Sequence, residues 1–282
     1  MSKIAIITCS NSGLDYLNPP KDIINFRSSI QFGDESYADF IEMDAKTFYE
    51  RIERNPDDIP KTAYYPIGKM IEDFESLEQK GYDEALVIVI SAQLSGLYEA
   101  VKRAANEVKI KVTAFDSRML AYGQAYMVLE AHRMASQGHK TKDIIKRLEA
   151  IRDAHKVYFA VDTLLYLVKN GRLGKLQGTL GTMLQMKPLL TLSDIGKVET
   201  LEKIRTIRKA HQRVIEKYIE ETKDLDVITY ISHAHADDYV SWFVDEIKKA
   251  FPEREVVVAY LTPVVGAHTG PKAVGVGYIK LN

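Results

Sequence analysis

Two α/β domains, the first on a mainly parallel, Rossmann-like sheet and the second on a mixed sheet, are what this sequence predicts. Three observations predict them. The chain has 282 residues, longer than one average domain, so two domains of about 130 to 150 residues are expected. Short apolar runs at 4–8, 85–90, 112–115, 157–161, 227–232 and 256–261 alternate with helical patterns, which is the pattern of layered strands and helices. Two extended segments, 187–192 and 197–201, flank the turn-forming Ser193-Asp194-Ile195-Gly196, so the second half carries an antiparallel hairpin. The boundary is expected at 153–156, dividing the chain into 1–154 and 155–282.

The first apolar run ends in Thr8-Cys9-Ser10-Asn11-Ser12-Gly13, where an α/β sheet usually presents its ligand crevice. The spaced glycines of a dinucleotide fingerprint are missing, and a plain turn explains the loop equally well. Further on, residues 65–80 place Ile67, Met70, Ile71, Phe74 and Leu77 on one helical face, with Pro66 in the first turn and Gly81 at the stop. Thr62 sits just ahead of that helix. It reads either as a capping-region residue or as an anion-binding hydroxyl beside unpaired N–H donors. The strand at 85–90 runs into Ser91-Ala92-Gln93-Leu94-Ser95-Gly96-Leu97-Tyr98 and the start of another helix. Two strand-to-helix junctions, each with a hydroxyl, can converge on one small anion such as a carboxylate. The next strand ends in Asp116-Ser117, and two helices follow at 123–136 and 141–154.

In the second half, Thr163 to Arg172 reads as a capped amphipathic helix ending at Asn170-Gly171, with Arg172 immediately beyond. Arginine holds a carboxylate through a planar fork, although an arginine past a helix end is commonly solvated or bonded to carbonyls. The stretch 180–190, with Met183, Leu184, Met186 and Leu189, is apolar and reads as core filler or as an adaptable wall for an acyl chain. Near the end, Gly266-Ala267-His268-Thr269-Gly270-Pro271 permits close backbone approach around His268. His233 and His235, two apart on an extended segment, point opposite ways, so no metal site is expected there.

Composition narrows the classes of function. With 38 basic and 39 acidic side chains the net charge is −1, which gives no field to draw the chain onto nucleic acid. The single Cys9 excludes an internal disulfide and a cysteine-based zinc cluster and fits a reducing compartment. Met1-Ser2-Lys3 leads directly into the first strand, too short for a signal-peptide core, and no apolar run reaches spanning length. A soluble, cytoplasmic protein is expected.

With these residues in view, the chain resembles the DegV family over essentially its full length. The blocks that carry the resemblance are the serine-rich end of the first strand, the Thr-x-x-x-Pro stretch at Thr62, Leu94-Ser95-Gly96, Thr163 to Arg172, and Gly266 to Pro271, in that order. The resemblance implies two α/β domains with a long-chain fatty acid between them and no other cofactor. It implies a carrier, not an enzyme, that presents the acid to a separate ATP-dependent fatty acid kinase, with transient membrane contact. By resemblance, Thr62 and Ser95 bond the carboxylate, Arg172 and His268 close the site from the second domain, and Gly96 supplies a backbone N–H. Ser10, Ser91 and Asp116 are implied as a supporting layer. The chain departs from the family at Cys9, where Asp is common, at Ala63, where Ser is common, and at Asn170-Gly171, where two glycines are common. Loss of the Asp and the Ser is expected to leave fewer head-group partners.

Two rivals are weighed against the carrier. A serine-dependent acyl hydrolase or transferase would use Ser95 as nucleophile, His268 as base and Asp116 to orient it, but Leu94-Ser95-Gly96 lacks the Gly-x-Ser-x-Gly elbow. A nucleotide binder would need a Gly-x-x-x-x-Gly-Lys loop or a Rossmann fingerprint, and the sequence has neither.

Overall fold

The computed structural model describes residues 2–173 and 185–281. Met183 and Leu184 of the expected apolar wall lie outside the described residues.

The first sheet is wholly parallel, in the order β2-β1-β6-β7, from β1 (Ile4–Cys9), β2 (Ile24–Phe26), β6 (Glu84–Val89) and β7 (Lys111–Asp116). Its central strands are near-continuous apolar runs because helices cover both faces. Ala5, Ile7, Ala85, Val87 and Val89 pack against Met70, Phe74 and Leu77 of α2 (Ile67–Gln79) and Leu97, Ala100 and Val101 of α3 (Leu97–Ala105). The alternate residues Ile6, Leu86 and Ile88 point the other way, onto Ala125 and Val128 of α4 (Ala121–Ser136) and Ile144 and Leu148 of α5 (Thr141–Asp153).

The second sheet is mixed, in the order β10-β9-β8-β13-β11-β12. The expected hairpin is β9 (Leu189–Leu192) and β10 (Val198–Glu202) at one edge. Next come β8 (His155–Ala160), β13 (Val274–Lys280) and β11 (Val227–His233), all antiparallel, and then β12 (Val256–Tyr260), parallel to β11. One face packs Tyr158, Ala160, Ile231, Val274 and Val276 against Val214 and Tyr218 of α7 (Ile207–Thr222) and Phe243 and Ile247 of α8 (Asp237–Ala250). The opposite face carries the alternate residues and looks toward the first sheet.

A third, small antiparallel sheet, β4-β3-β5, goes beyond the two sheets expected from the sequence. It comprises β3 (Ser29–Phe32), β4 (Glu35–Ala38) and β5 (Lys61–Ala63) and carries α1 (Ala45–Arg54), whose first turn is capped by Asp44 accepting from Thr47 N–H at 2.8 Å. Ile30, Phe48 and Tyr49 of this insert share one core with Leu167 of α6 (Leu165–Lys169) and Leu164 just ahead of it, and with Val264, Val265 and Ala267 of α9 (Pro263–Thr269). The insert thereby ties the first half to the second. Tyr49 Oη donates to Leu261 O at 2.8 Å across that seam.

Among the described residues, no helix is long and apolar enough to cross a membrane.

Candidate functional site

Between the two large sheets lies a cavity of about 1050 Å³ of space between atoms, its open mouth included. Its inner wall follows from strand register. On β8 the side chains of His155, Val157 and Phe159 face the cavity, while Tyr158 and Ala160 face the helices. Across β13, Val157 stands opposite Gly277, which stands opposite Tyr230 of β11, and Phe159 stands opposite Gly275, which stands opposite Ser232. Two glycines on a central strand make room for neighbouring side chains: a Cβ on Gly277 would stand 2.1 Å from the Tyr230 ring and one on Gly275 would stand 2.6 Å from Phe159 Cβ. Leu94, Leu120, Ala121, Leu192, Val264 and Val265 complete an apolar lining.

One end of the cavity is polar. Thr62, Ser95, Arg172 and His268 all line it, so the structure gathers four of the five residues expected at the head of the site. Thr62 arrives on β5, at the edge of the small sheet, and not from the start of α2. Its hydroxyl lies 2.9 Å from His268 Nε2. Ser95 sits in the loop between β6 and α3, its hydroxyl accepting from Leu97 N–H at 3.2 Å.

Arg172 is aimed by the end of α6. Gly171 takes a left-handed φ of 69°, the helix closes with Arg172 N–H bonded to Leu167 O at 2.9 Å, and the chain reverses. The guanidinium then reaches across the seam, Nε donating to Leu94 O at 3.2 Å and Nη1 to Asn170 O at 2.5 Å. Asn170 donates from Nδ2 to Ala267 O at 2.8 Å and to Pro60 O at 3.3 Å. It clasps α9 and β5 together, a role the sequence alone does not reveal.

The electrostatics of this end favour an anion. Burial lowers the Arg172 pKa from its ordinary value, and a desolvated cation is stabilised by a negative partner. His268 is pushed down to about 3, first by burial and then by the Arg172 charge, and is neutral at physiological pH. Its buried Nδ1 has no protein partner among the described residues.

Other expected site residues stand elsewhere. Gly96 does not line the cavity; a Cβ there would come within 3.3 Å of the Tyr64 ring, so Gly96 makes room for Tyr64 at the mouth. Ser10, Ser91 and Asp116 are also off the cavity wall and act on the loops that form it. Ser10 Oγ accepts from Ser28 N–H at 3.2 Å, Asp116 Oδ1 accepts from Ala92 N–H at 3.1 Å, and Ser91 Oγ donates to Gly196 O at 2.7 Å, docking the β9–β10 hairpin tip. Cys9 lies under Gln124 Nε2 at 3.3 Å and is not among the residues that line the cavity. Ala63 does line the cavity.

The hydrolase triad is not assembled. Ser95 accepts from Leu97 N–H, His268 pairs with Thr62, and Asp116 is taken up by Ala92 N–H and by Arg118 N–H at 2.9 Å. His233 ends β11, its Nδ1 accepting from Ala236 N–H at 3.3 Å, whereas His235 lies beyond the strand with φ 53°. Among the described residues no group of three His, Cys, Asp or Glu stands ready for a metal ion.

The buried histidines set a pH dependence. His155 and His268 are pushed down to about 3 and His211 to about 4, all chiefly by burial. Unfolded histidines titrate near 6.5, so between about pH 6 and 4.5 the unfolded chain binds three more protons at these sites. Asp39, pushed up to about 7 by burial, opposes them by holding one proton in the folded state over that window. The net difference is two protons, and stability should fall on acidification by on the order of 2 kcal/mol per pH unit. Urea midpoints at pH 6 and pH 5 check this, and an unchanged or higher midpoint at pH 5 contradicts it.

Comparison with known proteins bears on what such a cavity holds. Residues 3–281 match the family model described as "Uncharacterised protein, DegV family". A DegV domain-containing protein of Halalkalibacterium halodurans is 31% identical over 284 residues, covering 99% of each chain. The crystal structure of DegV of Bacillus subtilis, a fatty acid binding protein, superposes with a TM-score of 0.88 at 29% identity, covering 100% of each chain. A DegV family protein of Thermus thermophilus, for which fatty acid binding is described, superposes with a TM-score of 0.85 at 25% identity over 99% of this chain and 100% of that one.

Proposed function

The chain belongs to the DegV family, and from that premise we propose that it buries one long-chain fatty acid between its halves and hands the carboxylate to a separate ATP-dependent fatty acid kinase. In this reading the chain is a carrier and not an enzyme, with residues 1–154 and 155–282 as the two domains that enclose the lipid. The observation that carries it is the lining of the cavity: Thr62, Ser95, Arg172 and His268 meet at the seam, and the largely apolar wall that includes Val157 and Phe159 of β8 leads away from them. From His155 to Ala160 that strand covers roughly 17 Å.

The division of labour follows from magnitudes. Enclosing about 14 methylenes at roughly 0.8 kcal/mol each contributes ~11 kcal/mol gross, before the costs of ordering and association. A buried carboxylate opposes binding unless it is paired. Arg172 supplies the charge, the hydroxyls of Thr62 and Ser95 supply donors, and His268 closes the cluster. These four side chains are only partly buried, which keeps the head group within reach of a partner at the mouth while the tail stays enclosed.

Thermal shift with two ligands tests the reading. Oleate should raise the melting temperature by linkage and ATP should leave it unchanged. A rise with ATP and none with oleate would make the cavity a nucleotide site.

A further inference from the structure

At the start of β8 the cavity is lined by His155 and Tyr230, and the Tyr122 ring stands behind Tyr230. Tyr230 Oη lies 2.5 Å from His155 Nε2, their rings nearly parallel at 8°, and the Tyr122 ring packs on Tyr230 with centroids 5.0 Å apart. His155 opens β8, at the end of that strand remote from α6 and Arg172. Strand β13 accommodates this arrangement, because a Cβ on Gly277 would stand 2.1 Å from the Tyr230 ring. Gly123 does the same from α4, where a Cβ would come 2.8 Å from His155 Nε2. Both ring systems are held in place where any larger neighbour would dislodge them. Beyond Tyr230 lies a small apolar cluster with Tyr122 and Ala259, flanked by Leu17, Tyr126 and Val257.

Resting on the fatty-acid reading above, we propose that the hydrogen-bonded Tyr230–His155 pair is the end-stop of the tunnel and fixes the longest acyl chain the protein accepts. Bonding to each other lets two polar side chains face a terminal methyl without leaving donor and acceptor unmet. Burial also pushes His155 down to about 3, so no charge stands at the closed end. A chain one methylene too long meets locked rings, not a soft loop. If Tyr230 were shortened, the chain end would enter the apolar cluster behind it.

The experiment is a competition series with straight-chain saturated acids of increasing length, run on the wild type, Tyr230→Phe and Tyr230→Leu. Wild-type affinity should rise about fourfold per added methylene up to one length and then stop rising or fall. Tyr230→Phe keeps the ring and should keep that break. Tyr230→Leu opens the space and should move the break to longer acids. A wild-type series with no break, or a Tyr230→Leu break at the wild-type length, overturns the end-stop while leaving the carrier intact. Failure of every acid to bind overturns the carrier itself. Should Tyr230→Leu not fold, His155→Ala, which removes the other member of the pair, should move the break to longer acids, and a break at the wild-type length there overturns the end-stop.

Discussion

Val157→Phe should cut affinity for a long-chain fatty acid roughly a thousandfold and leave the fold in place. Val157 stands in the row Tyr230–Gly277–Val157, about halfway along the apolar wall, and its side chain meets the cavity and not the helices behind the sheet. A benzyl group there projects into the cavity and fills the passage. The distance from Val157 to His155 along β8, two residues or roughly 7 Å, accommodates about five methylenes. At about 0.8 kcal/mol each their loss is roughly 4 kcal/mol, which is the thousandfold effect. Overpacking should cost the fold only about 1 kcal/mol, because the new ring enters open space and not a filled core. A short acid that never passes Val157 is the control and should bind the variant nearly as well as the wild type. Equal losses for short and long acids would mean that the tail does not run along β8.

The second large effect is expected at the other end. Arg172→Ala should slow phosphate transfer to the bound acid by roughly ten- to a hundredfold, the weight of one charged hydrogen bond. Retention of the acid should change far less, since the tail supplies most of the affinity. Arg172 Nε and Nη1 reach from the α6 turn to carbonyls on both sides of the seam, so its removal also frees the Leu94 carbonyl beside Ser95. Transfer is read with a fatty acid kinase and ATP, and retention by exchange of labelled acid. Equal loss of both would place Arg172 in the grip on the lipid and not in its presentation.

Much of this architecture can be read from residue patterns. The runs at 4–8 and 85–90 predict strands covered on both faces, and the structure splits them by alternate residues between two helical layers. The Ser193 to Gly196 turn foretells the antiparallel edge that makes the second sheet mixed. Thr62, Ser95, Arg172 and His268, spread over more than two hundred positions, do line one cavity. The insert of residues 29–63 escapes such reading because its strands are only three or four residues long, too short for alternation to register. The tunnel wall escapes for a different reason: its shape depends on what is missing. Val274-Gly275-Val276-Gly277-Tyr278 holds the signal, since glycine weakens a central strand unless something must approach it closely. His155 and Tyr230 carry no motif, and only the pairing of β8, β13 and β11 brings them together. At Gly96 and Cys9 the local contacts are with Tyr64 and Gln124.

A lipid tunnel between the sheets should keep its ligand through purification. Mass spectrometry of the protein purified without detergent, under native conditions and again after solvent extraction, tests it most directly. The expected result is one long-chain fatty acid per chain in the native complex and the same acid in the extract. A protein that carries no lipid and gains none when incubated with excess fatty acid would contradict it.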